Sequence, residues 1–183
     1  MDLLTAIDTR VSAVRLAEPA PCSADVERIL RSGVRAPDHG RLVPTRFVVF
    51  QGGALKRLGG AIADCHSRKN PDATNEQLKS ERNKAFRAPV VIVIAARVDP
   101  EHKVPAIEQM HSVAAAVQNM FLTAHSLGYG AMWKTGDAAY DPHVNTSLGL
   151  EWDDQIIAFL YLGTTVGAPP IKPSSLDGVV TWA

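Results

Sequence analysis

The sequence carries no excess charge, few cysteines and no long apolar run, and each absence excludes a class of protein. Its nineteen basic side chains balance nineteen acidic ones, so no overall field would attract nucleic acid or an anionic membrane. Cys22 and Cys65 are too few for a disulfide framework or a metal centre, and we expect both to be reduced thiols. The longest strongly apolar run, Pro89 to Ala96, is far shorter than a membrane span.

Several signature motifs are also missing. There is no Gly-x-Gly-x-x-Gly after a strand and no Gly-Lys-Ser/Thr, which disfavours a dinucleotide fold or an NTPase. Without Gly-x-Ser-x-Gly there is no nucleophile elbow, and without His-Glu-x-x-His there is no zincin site. His111 and His125 are separated by about 21 Å along a helix, too far to share a metal ion. What remains is chemistry carried by a bound cofactor.

The length and composition are those of a folded globular protein. We expect residues 1–183 to form one domain, because 46% of the residues are apolar and 21% are charged. The first eight residues, Met1 to Asp8, are too few and too acidic for a signal peptide. Together with the lack of a membrane span, this predicts a cytoplasmic protein.

Apolar periodicity predicts helices that alternate with about four strands, in an α/β or α+β layered domain. Val90 to Ala96 is apolar on both faces, as expected for a central strand that helices cover on each side. Ser23 is a predicted helix cap, and Pro37 should stop that helix near Ala36. Helices are predicted over residues 2–9, 23–36, 54–67, 75–86, 105–127 and 141–148, and strands over 46–51, 131–133, 155–162 and 179–182 in addition to 90–96.

Two short basic motifs lie where predicted helices end. The first runs from Arg10 through Ser12 to Arg15, and the second from Arg35 to His39. Arginine presents a planar fork of donors that matches a phosphate, and the serine hydroxyl adds another donor. The plain alternatives are solvated arginines, a serine that caps a turn, an arginine that stabilises a helix dipole and an exposed turn histidine.

Later motifs follow these two in a characteristic order. Read together, they resemble the nitroreductase family of FMN-dependent NAD(P)H oxidoreductases, in particular a subgroup of small bacterial members. The resemblance spans nearly the whole chain. It is carried by Arg10-x-Ser12, Arg35-Ala36-Pro37 with Pro44 and Phe47, Phe86 to Ile92, His102 to Pro105, Gln118 to Ala124, Leu127-Gly128-x-Gly130-x-x-Trp133, Phe159 to Gly163, and Lys172-Pro173.

The resemblance implies an α+β sandwich with a central, mainly antiparallel sheet flanked by helices, and a homodimer with FMN at the subunit interface. It implies that NADH or NADPH reduces the flavin, which then reduces a small planar acceptor, nitroaromatic or quinone-like, by a ping-pong hydride mechanism. FMN would carry the chemistry, with no catalytic side chain and no metal. Alternatives are a flavin-binding dimer with little turnover, and a related flavin reaction such as reductive dehalogenation.

The resemblance also assigns site residues. Arg10, Val11 and Ser12 match the segment at the FMN phosphate and ribityl end, and Arg35 and His39 match positions that reach the flavin from the partner chain. A further FMN contact falls on Trp133, Lys134 and Thr135, although the tryptophan could belong to the core and the lysine to a solvated strand end. The expected NAD(P)H stretch is Thr123, Ala124, His125, Ser126, Leu127 and Gly128.

Other residues of the sequence leave open alternatives or depart from the family pattern. Glu108, Gln109 and His111 could form an acid/base cluster, but we favour a solvated or interface face. The small residues Ala114 to Ala116 could form a dimer seam or pack inside a monomer. Val11 replaces the usual arginine, and Asp38, Arg41, Val43 and Thr45 replace the usual Ser, Asn, Gln and Trp. The loss of two amides removes donors for the flavin edge, and we expect Arg41 to face solvent instead.

Overall fold

The computed structural model describes residues 1–167, 169–171 and 175–183, so Lys172 and Pro173 of the resemblance lie outside the described residues. The described residues form six α-helices and five strands. They are α1 (Leu3–Thr9), β1 (Leu16–Ala17), α2 (Ser23–Gly33), β2 (Thr45–Gln51), α3 (Leu55–Lys69), α4 (Asn75–Asn83), β3 (Val90–Ala96), α5 (Ala106–Ser126), β4 (Gly130–Lys134), α6 (Pro142–Leu148) and β5 (Gln155–Thr165).

The five strands form one antiparallel sheet, as the resemblance implies. Strand β5 lies between β3 and β4, since Leu160 pairs with Ile92 on one side and with Trp133 on the other. Strand β2 continues the sheet beyond β3, and β1 pairs with the C-terminal end of β5. The long strand β5 therefore joins the N-terminal segment, β3 and β4 into one framework.

Strand β3 is the centre of the protein, and all seven of its residues are buried. Because side chains alternate across a strand, Val91 and Val93 face the core under α3 and α6. Ile92 and Ile94 face a second core, which is built with α2 and α5. This confirms the expectation of a central strand covered by helices on both faces, and the fold is an α+β sandwich.

Helices α2 and α5 pack closely because α2 ends in a glycine. A Cβ at Gly33 would lie 2.9 Å from Met120 Sδ and 2.9 Å from Phe47 Cζ, closer than real Cβ contacts allow. The buried glycine therefore lets α2 approach both α5 and β2. In the alanine run of α5, Ala116 is fully buried in the monomer.

Several predicted boundaries are corrected. Helix α2 ends at Gly33 rather than Ala36, and Cys22, not Ser23, occupies its N-cap without a side-chain capping bond. The predicted helix over 75–86 closes at Asn83 and continues as a 3-10 turn. Residues 179–182 form no strand, and their exposed side chains find no sheet edge in the monomer. The two-residue strand β1 was not predicted, because so short a strand depends on its pairing partner.

Candidate functional site

Arg10 directly follows α1, and its guanidinium lies over the Phe121 ring of α5, with Cζ 4.6 Å from the ring centroid. Its Nη1 is buried and has no hydrogen-bond partner among the described residues. A buried donor of a permanent cation is costly to leave unpaired. The position therefore favours an anionic ligand that completes the hydrogen bonding of Arg10.

Phe121 also lines an open cavity of about 490 Å³, beside which α1, α5 and the start of β4 meet. His125 lies in its wall and contacts Thr9, with Oγ1 and Nε2 2.9 Å apart. Burial, helped by the charge of Arg10, lowers the pKa of His125. Both effects favour the neutral imidazole over a second cation next to Arg10. The cavity wall is formed mainly by Met1, Thr5, Thr9, Val11, Ala13, Phe121, His125, Tyr129, Gly130, Ala131 and Thr165.

The segment after Arg10 is attached to β4. The Ala13 amide donates to the Ala131 carbonyl at 2.9 Å, while Val11 is half-buried and Ser12 is exposed. This bond brings the first predicted FMN segment to the strand that carries the predicted contacts Trp133 and Lys134.

The three predicted FMN contacts around the end of β4 differ in their surroundings. Trp133 is half-buried against the sheet core, and its Nε1–H donates to the Ile157 carbonyl at 3.0 Å. Lys134 and Thr135 are exposed. The tryptophan thus has a core role in the monomer, whereas the lysine and threonine remain accessible to a ligand.

Lys134 lines a second cavity of about 390 Å³ together with Arg15 and Arg87. Arg87 lies in the 3-10 turn before β3, so the three cations come from distant parts of the chain. Burial raises the pKa of Tyr161, and the nearby charge of Arg87 partly opposes that shift. Sequence reasoning missed Arg87 as a site residue because only the tertiary structure brings it to Lys134.

A smaller cavity of about 220 Å³ adjoins the same lysine, and the buried Cys65 is among its lining residues. Burial, with Asp141 next to it, raises the pKa of Cys65 to about 11. A thiol with so high a pKa is not a nucleophile at neutral pH. Both cysteines are free, as predicted.

The second basic motif lies elsewhere. Arg35 is exposed just after α2, and the His39 ring contacts Glu108 at the start of α5, with Nδ1 and Oε2 2.6 Å apart. Glu108 and Phe121 are thirteen positions apart on α5, which corresponds to about 20 Å along the helix axis. Phe121 is the residue whose ring contacts the Arg10 guanidinium. One chain therefore does not bring His39 to Arg10.

The turn that follows His39 is unusual. Gly40, Arg41 and Val43 have φ values of +79°, +56° and +51°. The left-handed region is unfavourable for a branched residue such as valine. The Asp38 carboxylate accepts a hydrogen bond from the Val43 amide at 2.8 Å, which closes the turn, and Arg41 faces solvent as expected.

Neighbours of Glu108 are not an acid/base cluster. Gln109, expected on a solvated face, is buried instead, and its side-chain amide bonds to Asp99 and Val104 at 2.9 Å each. It holds the loop that precedes α5, while His111 is exposed. The expectation for Gln109 was wrong, because a buried amide is stable where its hydrogen bonds are complete.

The predicted NAD(P)H stretch covers the end of α5. Only His125 among its six residues lines the 490 Å³ cavity, whereas Ala124 belongs to the buried core. Thr123 and Leu127 are half-buried, and Ser126 and Gly128 are exposed. The stretch thus forms a helix end beside the cavity, and its contact with NAD(P)H stays a prediction.

Among the described residues, no group of three His, Cys, Asp or Glu side chains is placed to hold a metal ion. Over the same residues, no helix combines the length and apolar character needed to span a bilayer.

Comparison with known proteins agrees with the fold and with the motif order. The chain is 37% identical to the proposed NAD(P)H nitroreductase YdjA of Escherichia coli K12 over 175 residues, which cover 96% of this chain and 92% of that protein. A nitroreductase-like family protein of Bacillus cereus superposes with a TM-score of 0.86 at 22% identity, covering 100% of this chain and 96% of that one. An FMN-bound nitroreductase of Bacteroides fragilis superposes with a TM-score of 0.75 at 21% identity, covering 100% and 99%. The sequence profile of the Nitroreductase family matches residues 16–164, and the chain belongs to this family.

Proposed function

We propose that this protein is an FMN-dependent oxidoreductase that uses NADH or NADPH to reduce small planar acceptors, nitroaromatic or quinone-like. The buried, unpaired Nη1 of Arg10 is the observation that carries the proposal. It lies in the segment that the family resemblance assigns to the FMN phosphate. The naming of YdjA as a proposed NAD(P)H nitroreductase and the FMN bound in the Bacteroides fragilis structure support the same donor and cofactor.

The donor set of this chain fits FMN. Arg10 supplies a cation whose hydrogen bonding a phosphate would complete, and the exposed Ser12 hydroxyl is two residues away. Lys134 and Thr135 are accessible at the end of β4, which the Ala13 amide joins to the Arg10 segment. Charge-assisted bonds from arginine and lysine are the strong interactions that phosphate makes in proteins.

Bound FMN would supply the two-electron chemistry, taking electrons from NAD(P)H and passing them to the acceptor that replaces it. The side chains bind, orient and provide charge. Arg10 and Ser12 would hold the anionic end of the cofactor, and the exposed Lys134 at the end of β4 would offer positive charge to another part of it. A cation fixed near developing negative charge stabilises it without reorganisation.

We propose that the functional unit is a homodimer. Within one chain His39 contacts Glu108 and Arg10 contacts Phe121, two positions about 20 Å apart along α5, so we expect them not to hold the same part of one cofactor. A second copy could bring its own Arg35 and His39 to the Arg10 end. Both side chains are exposed in the monomer, which leaves them accessible to a partner.

One observation favours flavin binding with little turnover as a second function. The family's two amide positions carry Arg41 and Val43, and both are exposed in the left-handed turn. Neither supplies the amide that would hydrogen-bond the flavin edge. A weakly tuned flavin could then bind without efficient electron transfer.

An anaerobic visible spectrum, recorded before and after NADH or NADPH, separates the two functions. A flavin band that bleaches and returns on addition of a nitroaromatic supports the oxidoreductase. A band that persists favours binding alone, and no band after FMN is added contradicts both.

The assignment of Arg10 is tested by the affinity for FMN. Arg10→Ala should weaken FMN binding about 10- to 100-fold, since a hydrogen bond to a charged group contributes about 1.5–3 kcal/mol. Arg31→Ala is the control, because Arg31 is exposed on α2 and pairs only with Glu27 among the described residues. Unchanged FMN retention in Arg10→Ala would contradict the phosphate assignment.

A further inference from the structure

The 390 Å³ cavity beside Lys134, here called the cation groove, concentrates positive charge in a chain that is neutral overall. Arg15, Arg87 and Lys134 line it, and no acidic residue does. Within the described residues, none of these three side chains forms an ion pair. Three unneutralised cations around one concave surface raise the local concentration of anions.

The cation groove is separate from the Arg10 site. It shares no lining residue with the 490 Å³ cavity, whose wall includes Phe121 beneath the Arg10 guanidinium. A phosphate held by Arg10 and Ser12 would therefore leave Arg15 and Arg87 without a counter-ion. The cation groove can therefore bind a second anionic group at Arg15 and Arg87.

The remaining residues that line the cation groove are apolar, which indicates that the uncharged part of the ligand is also apolar. Val14 is 75% exposed and Phe86 is 50% exposed, so both present carbon to solvent at this surface. Leu16 is half-buried and Met132 is buried, and both also line the groove. A flat apolar ring would remove this carbon surface from water while an attached anion meets the cations.

We propose that the cation groove binds the carboxylate of an aromatic acid and thereby selects carboxylated planar acceptors for this enzyme. This rests on the proposed oxidoreductase function, because Lys134 belongs both to the groove and to the segment assigned to FMN. The ligand's ring would lie on Phe86, Leu16 and Met132. Its carboxylate would meet Arg15 and Arg87, whose planar forks match it.

The test compares 4-nitrobenzoate with its methyl ester, which keeps the ring and the nitro group but removes the charge. Wild-type protein loaded with FMN should have the higher kcat/KM for the carboxylate. Arg15→Gln and Arg87→Gln should each lower the carboxylate-to-ester ratio of kcat/KM about tenfold. Arg31→Gln, an exposed arginine on α2, should leave the ratio unchanged.

The salt dependence of the carboxylate-to-ester ratio distinguishes the loss of a charge from the loss of structure in a variant. Screening shortens the Debye length from about 10 Å at 0.1 M to about 3 Å at 1 M salt. The carboxylate preference of the wild type should therefore fall with added salt. In Arg15→Gln and Arg87→Gln the ratio should depend less on salt.

Three results would overturn the proposal. One is an unchanged carboxylate-to-ester ratio in both variants. Another is purification of Arg87→Gln without FMN, which would assign the groove to the cofactor's phosphate. The third is a higher KM for NADPH, but not for NADH, in the two variants, with an unchanged carboxylate-to-ester ratio. This result would assign the cation groove to the extra phosphate of NADPH.

Direct binding keeps the groove testable if the proposed function fails. Calorimetric titration of the purified protein with 4-nitrobenzoate should give weaker binding for Arg15→Gln and Arg87→Gln than for the wild type and Arg31→Gln. If the wild type turns over no acceptor, the oxidoreductase proposal fails, but this titration still tests whether the cation groove binds a carboxylate. Equal binding by all four proteins would overturn the proposal of a carboxylate site.

Discussion

Strand β3 and the turn from Asp38 to Val43 are stabilised in opposite ways. All seven β3 residues are buried, and the strand pairs with β2 on one side and β5 on the other. The turn is largely exposed, has three residues with positive φ, and is closed by the hydrogen bond between the Val43 amide and the Asp38 carboxylate.

The difference indicates that the conformation of the turn can change at a smaller cost in free energy than that of the strand. Strand β3 is stabilised by many small dispersion contacts and by the backbone hydrogen bonds to both neighbouring strands. Its conformation therefore does not depend on any single neighbour. The turn depends on a few polar contacts that each act alone. It also carries His39, a predicted cofactor contact, and backbone strain of this kind is found preferentially at ligand sites.

The largest effect is expected in the strand. Ile92→Ala removes a side chain with no exposed surface from the centre of β3, which should lower the free energy of unfolding by about 2–5 kcal/mol. Urea denaturation measures it, with the exposed Val14→Ala as the control. A loss no larger than that of the control would show that β3 is not the densely packed centre of the protein.

The ion pair between buried Asp141 and exposed Arg68 should have the next largest effect. Asp141 is 9% exposed and accepts a hydrogen bond from Arg68 at 2.7 Å. Burial raises its pKa, but hydrogen bonds from Arg68, Cys65 and the His143 amide outweigh burial, so the net pKa is lowered. Asp141→Asn, which can still cap α6, should lower the unfolding free energy at pH 7 by about 1.5–3 kcal/mol.

The sign of the pH dependence follows from that lowered pKa. The carboxylate stabilises the folded state above the unfolded pKa of about 3.9, and this stabilisation is lost as pH falls through the lower folded pKa. Urea titrations between pH 7 and pH 3 should show a gap between wild type and Asp141→Asn that narrows towards low pH. A gap that widens there would contradict the assignment.

A smaller gain is expected in the turn. Val43→Gly should raise the free energy of unfolding by about 1 kcal/mol, because glycine adopts positive φ without the steric penalty that valine incurs. Thermal denaturation detects this change. Val49→Gly, in the extended strand β2, is the matched control and should destabilise. A loss of stability in Val43→Gly would mean that the turn is not strained.

The smallest effect concerns the exposed pair between the turn and α5. Glu108→Gln should change stability by about 0.5 kcal/mol, since exposed ion pairs contribute little. If Glu108 orients His39 towards a cofactor, FMN affinity should fall more in Glu108→Ala than in Glu108→Gln, which keeps a hydrogen-bonding side chain. Fluorescence titration with FMN measures both, and equal affinities would show that the pair does not orient the histidine.

Local sequence predicted most helices and strands because their signals lie within a few residues. Asp141-Pro142 predicted the start of α6, where the aspartate accepts from the His143 amide and proline occupies the first turn. The apolar run of β3 was predicted with its bounds. Residues 179–182 have a strand-like composition, but strand formation requires a sheet edge, and none is available to them in the monomer.

The site was predictable only in part. Arg10 follows a helix end and matches a motif; its Nη1 is buried without a partner among the described residues, and its contact with a phosphate stays a prediction. Nothing in the local sequence indicates that His39 contacts Glu108, 69 residues away. The meeting of Arg15, Arg87 and Lys134 is equally invisible to local patterns, since three separate segments contribute it.

By itself the sequence determined most of the helices and strands, the buried central strand and the family, because apolar periodicity and motif order are properties of the chain read in one dimension. Only the tertiary structure decided that Arg10 and His39 lie at different ends of α5, that Gln109 is buried, and that three distant cations share one groove. These are distances between residues remote in sequence, and the packing of α5 and β5 sets them.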